Sequence, residues 1–440
     1  MRKTAIVLTL LGLCAAPQIG TASGAATIDQ HHADDSKLPS VNPVVQWNRT
    51  LLAIVRTAGA QPATIHPTRS FAIMHAAIYD AVNSIERSHR PYMVRVANAR
   101  KDASQDAAAA AAAHDVLVAL YPGFKASLDS QLQDTLASVD DGDSAEGVRI
   151  GQIVAARLLA ARQDDGSASA PLPYVFGTRP GDYQSTPPNF PKQPQFTHWS
   201  RVTPFALPRA DLFRPAPPPG LTSVRYSDAF DEVKSLGTAN GASSSADQAL
   251  TGRFWNGPIQ NYWNEIAQSA TDARRLRTAD RARVFALLNL AIADSVIAFY
   301  DAKYTYNFWR PVTAIRAAAS LGNPATVGDP NWLPEVGNTP PDPSYPGAHA
   351  VISAAALNVL LSTLKRDRFS LDVTSEVLPG VTRSFHRLSD AAEEATLSRI
   401  FAGVHFRFDE TAGRRLGEHV ADFVVDNFLT RHGVVDDDSR

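Results

Sequence analysis

Residues 397–413 read LSRIFAGVHFRFDETAG, and the fold turns on whether this stretch is one helix or two. Each helical residue advances about 100°, so an unbroken helix would set Arg399 and His405 roughly 240° apart and bar them from one site. Gly403 offers a break, because glycine readily takes the left-handed conformation that closes a helix. The stretch is therefore predicted to be two helices, with Arg399 in the last turn of the first and His405 at the approach to the second. Asp409 then comes within reach of His405 and can orient its ring. The plainer reading is that Asp409 is only the N-cap of the second helix.

Helical signals extend in both directions. SFAIMHAAIYDAVNSIE (residues 70–86) sets Ile73, Ala76, Ala77 and Val82 on a broad apolar face. DAAAAAAAHDVLVALYP is a strong helix former stopped by Pro122, and SAEGVRIGQIVAARLLAARQDDG is amphipathic up to Gly166. VFALLNLAIADSVIAFY (residues 284–300) is apolar but short, and carries Asn289 and Asp294, so it reads as a buried helix and no membrane span is expected. Strand-like alternation is scarce. The fold class expected is all-α, a large helical bundle.

The 42 basic and 44 acidic residues nearly cancel, which gives no global signal for nucleic acid or an anionic membrane. The start, MRKTAIVLTLLGLCAAPQIGTASGAA, has the basic tip, apolar run and small residues of a secretory signal peptide, so an exported protein is expected. The one cysteine, Cys14, lies inside that segment, which leaves a mature chain without disulfides. The expected division is a signal peptide at 1–26, a polar leader at 27–44, an N-terminal helical part at 45–170, a Pro-rich aromatic loop at 171–225, a helical bundle at 226–430 and a polar tail at 431–440. Thirteen of the 30 prolines fall between Pro171 and Pro219, where fixed φ and missing donors exclude regular helix. Eight aromatics in that window, from Tyr174 to Phe213, suggest a segment packed down on the bundle. It reads either as a rim over a site or as a joint between helical halves.

Two further stretches carry chemistry. In DAKYTYNFWRPVTAIR, Lys303 and Arg310 lie seven residues apart, two helical turns, and so are expected to point the same way. Pro311 puts Arg310 at the helix end. Cations there also suit the helix dipole, but these two stand among Tyr304, Tyr306, Phe308 and Trp309, where half-buried like charges need an anion between them. In PPDPSYPGAHAVISAAALNVLLSTLKR, a Pro- and Gly-rich turn opens an apolar helix near Ala348. The N–H groups of Gly347 and Ala348 would form an anion site at that helix start, faced by His349. His349 reads equally as a polar surface residue. Together the three stretches offer Lys303, Arg310, Arg399, a helix start, His349 and the His405–Asp409 pair, a set suited to a phosphate- or vanadate-like oxyanion.

The order of these residues is similar to a known three-part signature. Lys303 is followed after six residues by Arg310-Pro311. A Pro-rich turn then ends in His349, and Arg399, five residues, His405, three residues and Asp409 complete the pattern. This resembles the superfamily that joins vanadium-dependent haloperoxidases to type 2 phosphatidic acid phosphatases. NFWRPVTAIR, LSRIFAGVHFRFDETAGRRLG and RSFAIMHAAIYDAVNSIE are most similar to exported bacterial relatives of the haloperoxidases, and the resemblance runs from about Val44 to Leu429.

The resemblance implies a helical-bundle fold in which Lys303, Arg310 and Arg399 bind the oxygens of vanadate or phosphate. It implies that His405 is the axial vanadium ligand, Asp409 the group holding its ring, and His349 the acid–base residue. The activity implied is halide oxidation by hydrogen peroxide at histidine-ligated vanadate, with halide or a small organic molecule as substrate. The alternative is a soluble exported acid phosphatase, without cofactor, that forms a phosphohistidine at His405 from a phosphate monoester. A third reading is an oxyanion binder with little turnover.

Two departures stand out. Gly347-Ala348-His349 replaces the family's Ser-Gly-His, removing a hydroxyl contact worth roughly 1.5–3 kcal/mol. Asp342 stands where haloperoxidases often place an aromatic residue or histidine near the halide, which a carboxylate would repel. Among other histidines, His75 and His114 are expected to be structural.

Overall fold

In the computed structural model, residues 42–239 and 243–433 are described; the expected signal peptide, almost all of the expected leader and most of the expected tail lie outside them. Asn42 and Val44, assigned to the leader, instead begin the first helix. Asn42 caps it by accepting from the Val44 N–H at 3.1 Å.

Five helices come first: α1 (Pro43–Arg56), α2 (Thr68–Glu86), α3 (Gln105–Leu120), α4 (Lys125–Ser138) and α5 (Ser144–Ala161). After a long irregular segment follow α6 (Val224–Leu236), α7 (Ala246–Phe254), α8 (Ile259–Ala273), α9 (Thr278–Tyr306), α10 (Pro311–Arg316) and α11 (Ala348–Leu364). A hairpin of β1 (Arg368–Thr374) and β2 (Thr382–Arg387) precedes α12 (Leu388–Phe401) and α13 (Arg407–Asn427). The all-α reading holds for the class. The hairpin escaped it, although Phe369, Leu371 and Val373 alternate inward along β1.

One apolar cluster runs through the N-terminal helices and the later bundle, from Trp47 and Phe71 to Val424. The seven-alanine run of α3 is buried throughout, and its small side chains let α5 approach closely: a Cβ on Gly151 would stand 2.5 Å from the Ala108 carbonyl oxygen. Helix α9 is the axis of the bundle. It is the one described helix long and apolar enough to cross a membrane, but 94% of its apolar window is buried inside the protein. Its Asp294 carboxylate accepts the N–H groups of Phe205, Ala206 and Leu207 at 2.6, 2.7 and 2.7 Å, clamping the Pro-rich segment onto the bundle. Asp80 of α2 does the same for Tyr92, Met93 and Val94. Such buried carboxylates satisfy loop donors that have no ladder of their own.

Candidate oxyanion site

The break at Gly403 is present. Helix α12 ends at Phe401, Gly403 has φ +78°, and its N–H bonds the Ile400 carbonyl. No other residue fits, because a Cβ there would meet the Gly237 carbonyl oxygen at 2.1 Å. Arg399 and His405 therefore converge as the sequence suggests, each about 2% exposed. Asp409 is not the N-cap: Phe406 holds that position, and Asp409, the third residue of α13, accepts the Phe406 N–H on Oδ2 at 3.0 Å. The same Oδ2 faces His405 Nδ1 at 3.0 Å, as the ring-orienting reading expects.

Lys303 and Arg310 meet by a different route from the one expected. Helix α9 ends at Tyr306 because Asn307 turns left-handed (φ +47°), and Arg310 is the extended N-cap residue of α10, with Pro311 at the first helical position. The two cations thus sit on separate helices, and their convergence owes nothing to a two-turn spacing. Nor is the anion between them external. Asp342, only 4% exposed, accepts from Arg310 Nη2 on Oδ1 and stands with Oδ2 3.8 Å from Lys303 Nζ. Arg310 also donates Nε–H to the Asp342 carbonyl at 2.8 Å and Nη1–H to the Val404 carbonyl at 2.9 Å. Lys303 donates to the carbonyls of Pro343 and Ser344. Burial, partly offset by Asp342, pushes the Lys303 ammonium down to about 8.

The start of α11 needs a second correction. Gly347 does not offer its N–H to an anion, because it donates to the Asp409 carbonyl at 3.0 Å. Ala348 and His349 do line the cavity. The side chain missing at Gly347 is replaced from α13: a Cβ there would lie 2.3 Å from Glu410 Oε1, so the Glu410 carboxyl occupies that space. Glu410 is 1% exposed and, among the described residues, neither carboxyl oxygen has a hydrogen-bond partner; Oε1 is 3.8 Å from His405 Nδ1. Burial, with Asp409 alongside, pushes Glu410 up to about 8, which favours its neutral form.

Histidine tautomers follow from the partners. A carbonyl oxygen can only accept, so His349 carries its proton on Nε2, donating to the Trp255 carbonyl at 2.8 Å, and Nδ1 keeps a lone pair. His405 receives the Arg310 Nη1–H on Nε2 at 3.0 Å and gives its Nδ1–H to Asp409. Burial, reinforced for His349 by Arg399 and for His405 by Arg310 and Lys303, holds both rings well below the usual range. Ser344, which the sequence reading passed over, ties this arrangement together by donating to Asp409 Oδ2 at 2.5 Å. Burial raises the Asp409 carboxyl to about 6 despite that bond.

These groups face a cavity of about 270 Å³ lined by Lys303, Arg310, Asp342, Ala348, His349, Arg399 and His405. His66, Gln195, Phe196, Phe299 and Tyr300 also line it, so the Pro-rich segment contributes Gln195 and Phe196 to its wall. An adjoining cavity of about 370 Å³ shares His349 and Arg399 and is walled by Pro187, Pro188 and Asn256. His66 is a site residue with no sequence signal beyond its type; burial pushes it down to about 3, which keeps it neutral. His75 bonds Asn48 at 2.8 Å inside the bundle and His114 sits between Asp115 and Asp129, both away from the cavity. Arg407 pairs with Glu232, and Arg414 lies near Glu418.

The donor set suits an oxyanion. Among the described residues no group of three His, Cys, Asp or Glu could cage a bare metal ion. His405 Nε2 is an unprotonated nitrogen, and Arg399 Nε is buried without a hydrogen-bond partner while its Nη1 donates to Asn256 at 3.0 Å. An oxyanion beside His405 would satisfy the Arg399 Nε–H, and His405 Nε2 would meet its central atom by exchanging the Arg310 Nη1–H that it accepts.

Residues 283–432 match the family model described as the VCPO second helical-bundle domain. The chain is 26% identical to the vanadium chloroperoxidase of Curvularia inaequalis over 502 aligned positions, covering 87% of this chain and 81% of that protein. A bacterial vanadium-dependent iodoperoxidase superposes with a TM-score of 0.75 at 24% identity, covering 89% of this chain and 96% of its own. The holo form of a bacterial vanadium-dependent chloroperoxidase gives 0.63 at 15% identity, with 89% and 94% covered. These two likenesses establish the shared fold.

Proposed function

We propose that this chain, similar in sequence and fold to the vanadium haloperoxidases, is an exported vanadate-dependent enzyme that uses hydrogen peroxide to oxidise halide or a small organic substrate. The observation that carries the reading is the His405 arrangement. Its Nδ1–H is fixed on Asp409, which Ser344 and the Phe406 N–H hold in turn, so Nε2 is left unprotonated, its lone pair accepting from Arg310 Nη1 in the cavity that both residues line.

Bound vanadate would supply a Lewis-acidic centre that activates hydrogen peroxide. The protein's contribution is binding and proton handling. His405 Nε2 would ligate the central atom, and Arg399 with the helix start at Ala348 would hold its oxygens, joined by Lys303 and Arg310 as far as Asp342 releases them. His349 can accept a proton at Nδ1 because Nε2–H is committed to the Trp255 carbonyl. Phe196, Phe299 and Tyr300 add aromatic surface to the cavity lining, which disfavours water there. Asp342, exposed to the same cavity, repels halide, so organic reductants are expected to rival bromide and chloride.

The test is a paired assay on purified protein with and without orthovanadate. One arm follows bromide and iodide oxidation by hydrogen peroxide; the other follows hydrolysis of a chromogenic phosphate monoester. Oxidation that requires vanadate is the expected result. Phosphate release that vanadate inhibits would replace this reading with hydrolysis at His405.

A further inference from the structure

Three buried cations surround the cavity, but they are not equivalent. Among the described residues, Arg399 has an unpartnered Nε and a single donated side-chain bond, to Asn256. Lys303 and Arg310 are already occupied by the chain itself. Arg310 gives Nε–H to the Asp342 carbonyl, Nη1–H to Val404 and His405, and Nη2–H to the Asp342 carboxylate. Lys303 gives two of its three protons to the carbonyls of Pro343 and Ser344, with the second Asp342 oxygen 3.8 Å away. Asp342 is thus a planar, two-oxygen anion lying across two cations, which is the part an external oxyanion would play.

Its position is well fixed. Asp342 stands between Pro341 and Pro343, and its N–H donates to the Pro340 carbonyl at 2.9 Å. It is 4% exposed, yet it lines the same cavity as His349, Arg399 and His405. Asp342 holds one of the two Arg310 Nη2–H donors, so an incoming oxyanion must displace it or lie directly beside it, where the two negative charges repel at short range.

We propose that Asp342 is an internal counter-anion that competes with external oxyanions for Lys303 and Arg310, and so sets which anions this site accepts and how tightly. The proposal rests on the oxyanion reading of the cavity. Entry of the ligand exchanges the Asp342 contact for the ligand's own, which weakens binding of all anions, most of all those of highest charge. Two cations that hold a resident carboxylate also stay compact when no ligand is bound. Removing Asp342 therefore has two coupled effects: two buried charges lose their partner, and an external oxyanion regains the Arg310 Nη2–H together with the unpaired charge of Lys303.

The experiment compares the parent protein with Asp342→Asn, without hydrogen peroxide, using orthovanadate and inorganic phosphate as separate probes. Calorimetric titration gives affinity, and melting curves with and without each anion give stability. The expected result is that Asp342→Asn melts below the parent in plain buffer and is restored by either anion. Its affinity should rise roughly tenfold or more, as freeing charge-assisted contacts implies. Asp342→Ser, smaller and also uncharged, carries the same expectation and serves if the asparagine variant is not recovered folded. Equal affinities in parent and variants, with anions restoring nothing, would overturn the competition while leaving the oxyanion site standing. An absence of anion binding in the parent and in both variants would overturn the site reading and the competition with it. Arg399→Gln separates these cases, since it should weaken binding whatever Asp342 does.

Discussion

Gly347→Ser restores the residue found at this motif position in related proteins, yet here it should damage the protein. The new Cβ would lie 2.3 Å from Glu410 Oε1, 2.7 Å from Cδ and 2.9 Å from Oε2, all well inside van der Waals contact. The backbone cannot retreat, because α11 and α13 already touch: a Cβ on Gly413 would meet the Gly347 carbonyl oxygen at 2.5 Å, and one on Gly417 the Val351 carbonyl oxygen at 2.1 Å. Glu410 must therefore move within a shell that leaves it 1% exposed. Overpacking of this kind costs about 1–3 kcal/mol. With roughly 2 cal/mol/K of unfolding entropy per residue, a chain of this size should melt about 1–4 °C lower.

Glu410→Ala alone should be close to neutral, since it trades a small cavity for relief of a buried carboxyl without hydrogen-bond partners. In the double variant the serine side chain enters the vacated space, and the penalty should shrink by at least about 1 kcal/mol relative to the sum of the single changes. Scanning calorimetry on the four proteins measures this coupling. A serine variant as stable as the parent, or effects that simply add, would refute the claim that Glu410 fills the place of the position-347 side chain.

Other expectations concern the ring, the clamps and pH. His405→Ala should abolish vanadate-dependent turnover while the far-ultraviolet circular dichroism stays unchanged; retained turnover would remove His405 from the chemistry. Asp409→Asn loosens the tautomer of His405 and should weaken orthovanadate binding about 10–100-fold in calorimetric titration. Asp294→Ala strips the acceptor from three loop N–H groups, so it should cost about 3 kcal/mol in urea unfolding and expose the 171–219 segment to limited proteolysis. Burial pushes Asp80 and Asp294 up to about 6 in the folded protein, above the ordinary carboxyl value of 3.8. The folded state then binds more protons than the unfolded chain between about pH 4 and 6. Their contribution is therefore fully present below pH 4 and lost as pH rises through 6. Melting temperature followed across this window should fall less with rising pH in an Asp80→Asn/Asp294→Asn double variant than in the parent.

Much of this architecture is local and could be read along the chain. Proline at 122, the seven-alanine run and the glycine at 403 act within a turn of their own positions, so helix existence, the α12–α13 break and the meeting of Arg399, His405 and Asp409 follow from backbone preferences. The β1–β2 hairpin was harder to see, because its alternation is short and its exposed positions are mostly charged or polar. Local rules also misjudged how Lys303 meets Arg310, since a left-handed asparagine is a weaker helix stop than glycine and gives little warning.

What the tertiary structure alone decided is which donor meets which acceptor. Asp342 reaches Arg310 across 32 positions and Ser344 reaches Asp409 across 65. The side chain absent at Gly347 is supplied by Glu410 of another helix, and the Pro-rich segment becomes a wall of the cavity through Phe196. The types and order of residues determine that a cationic, histidine-bearing pocket forms in a helical bundle. Whether its cations stand open or already hold an anion depends on ångström-scale approach between distant segments, which packing of the whole core sets and no local propensity encodes.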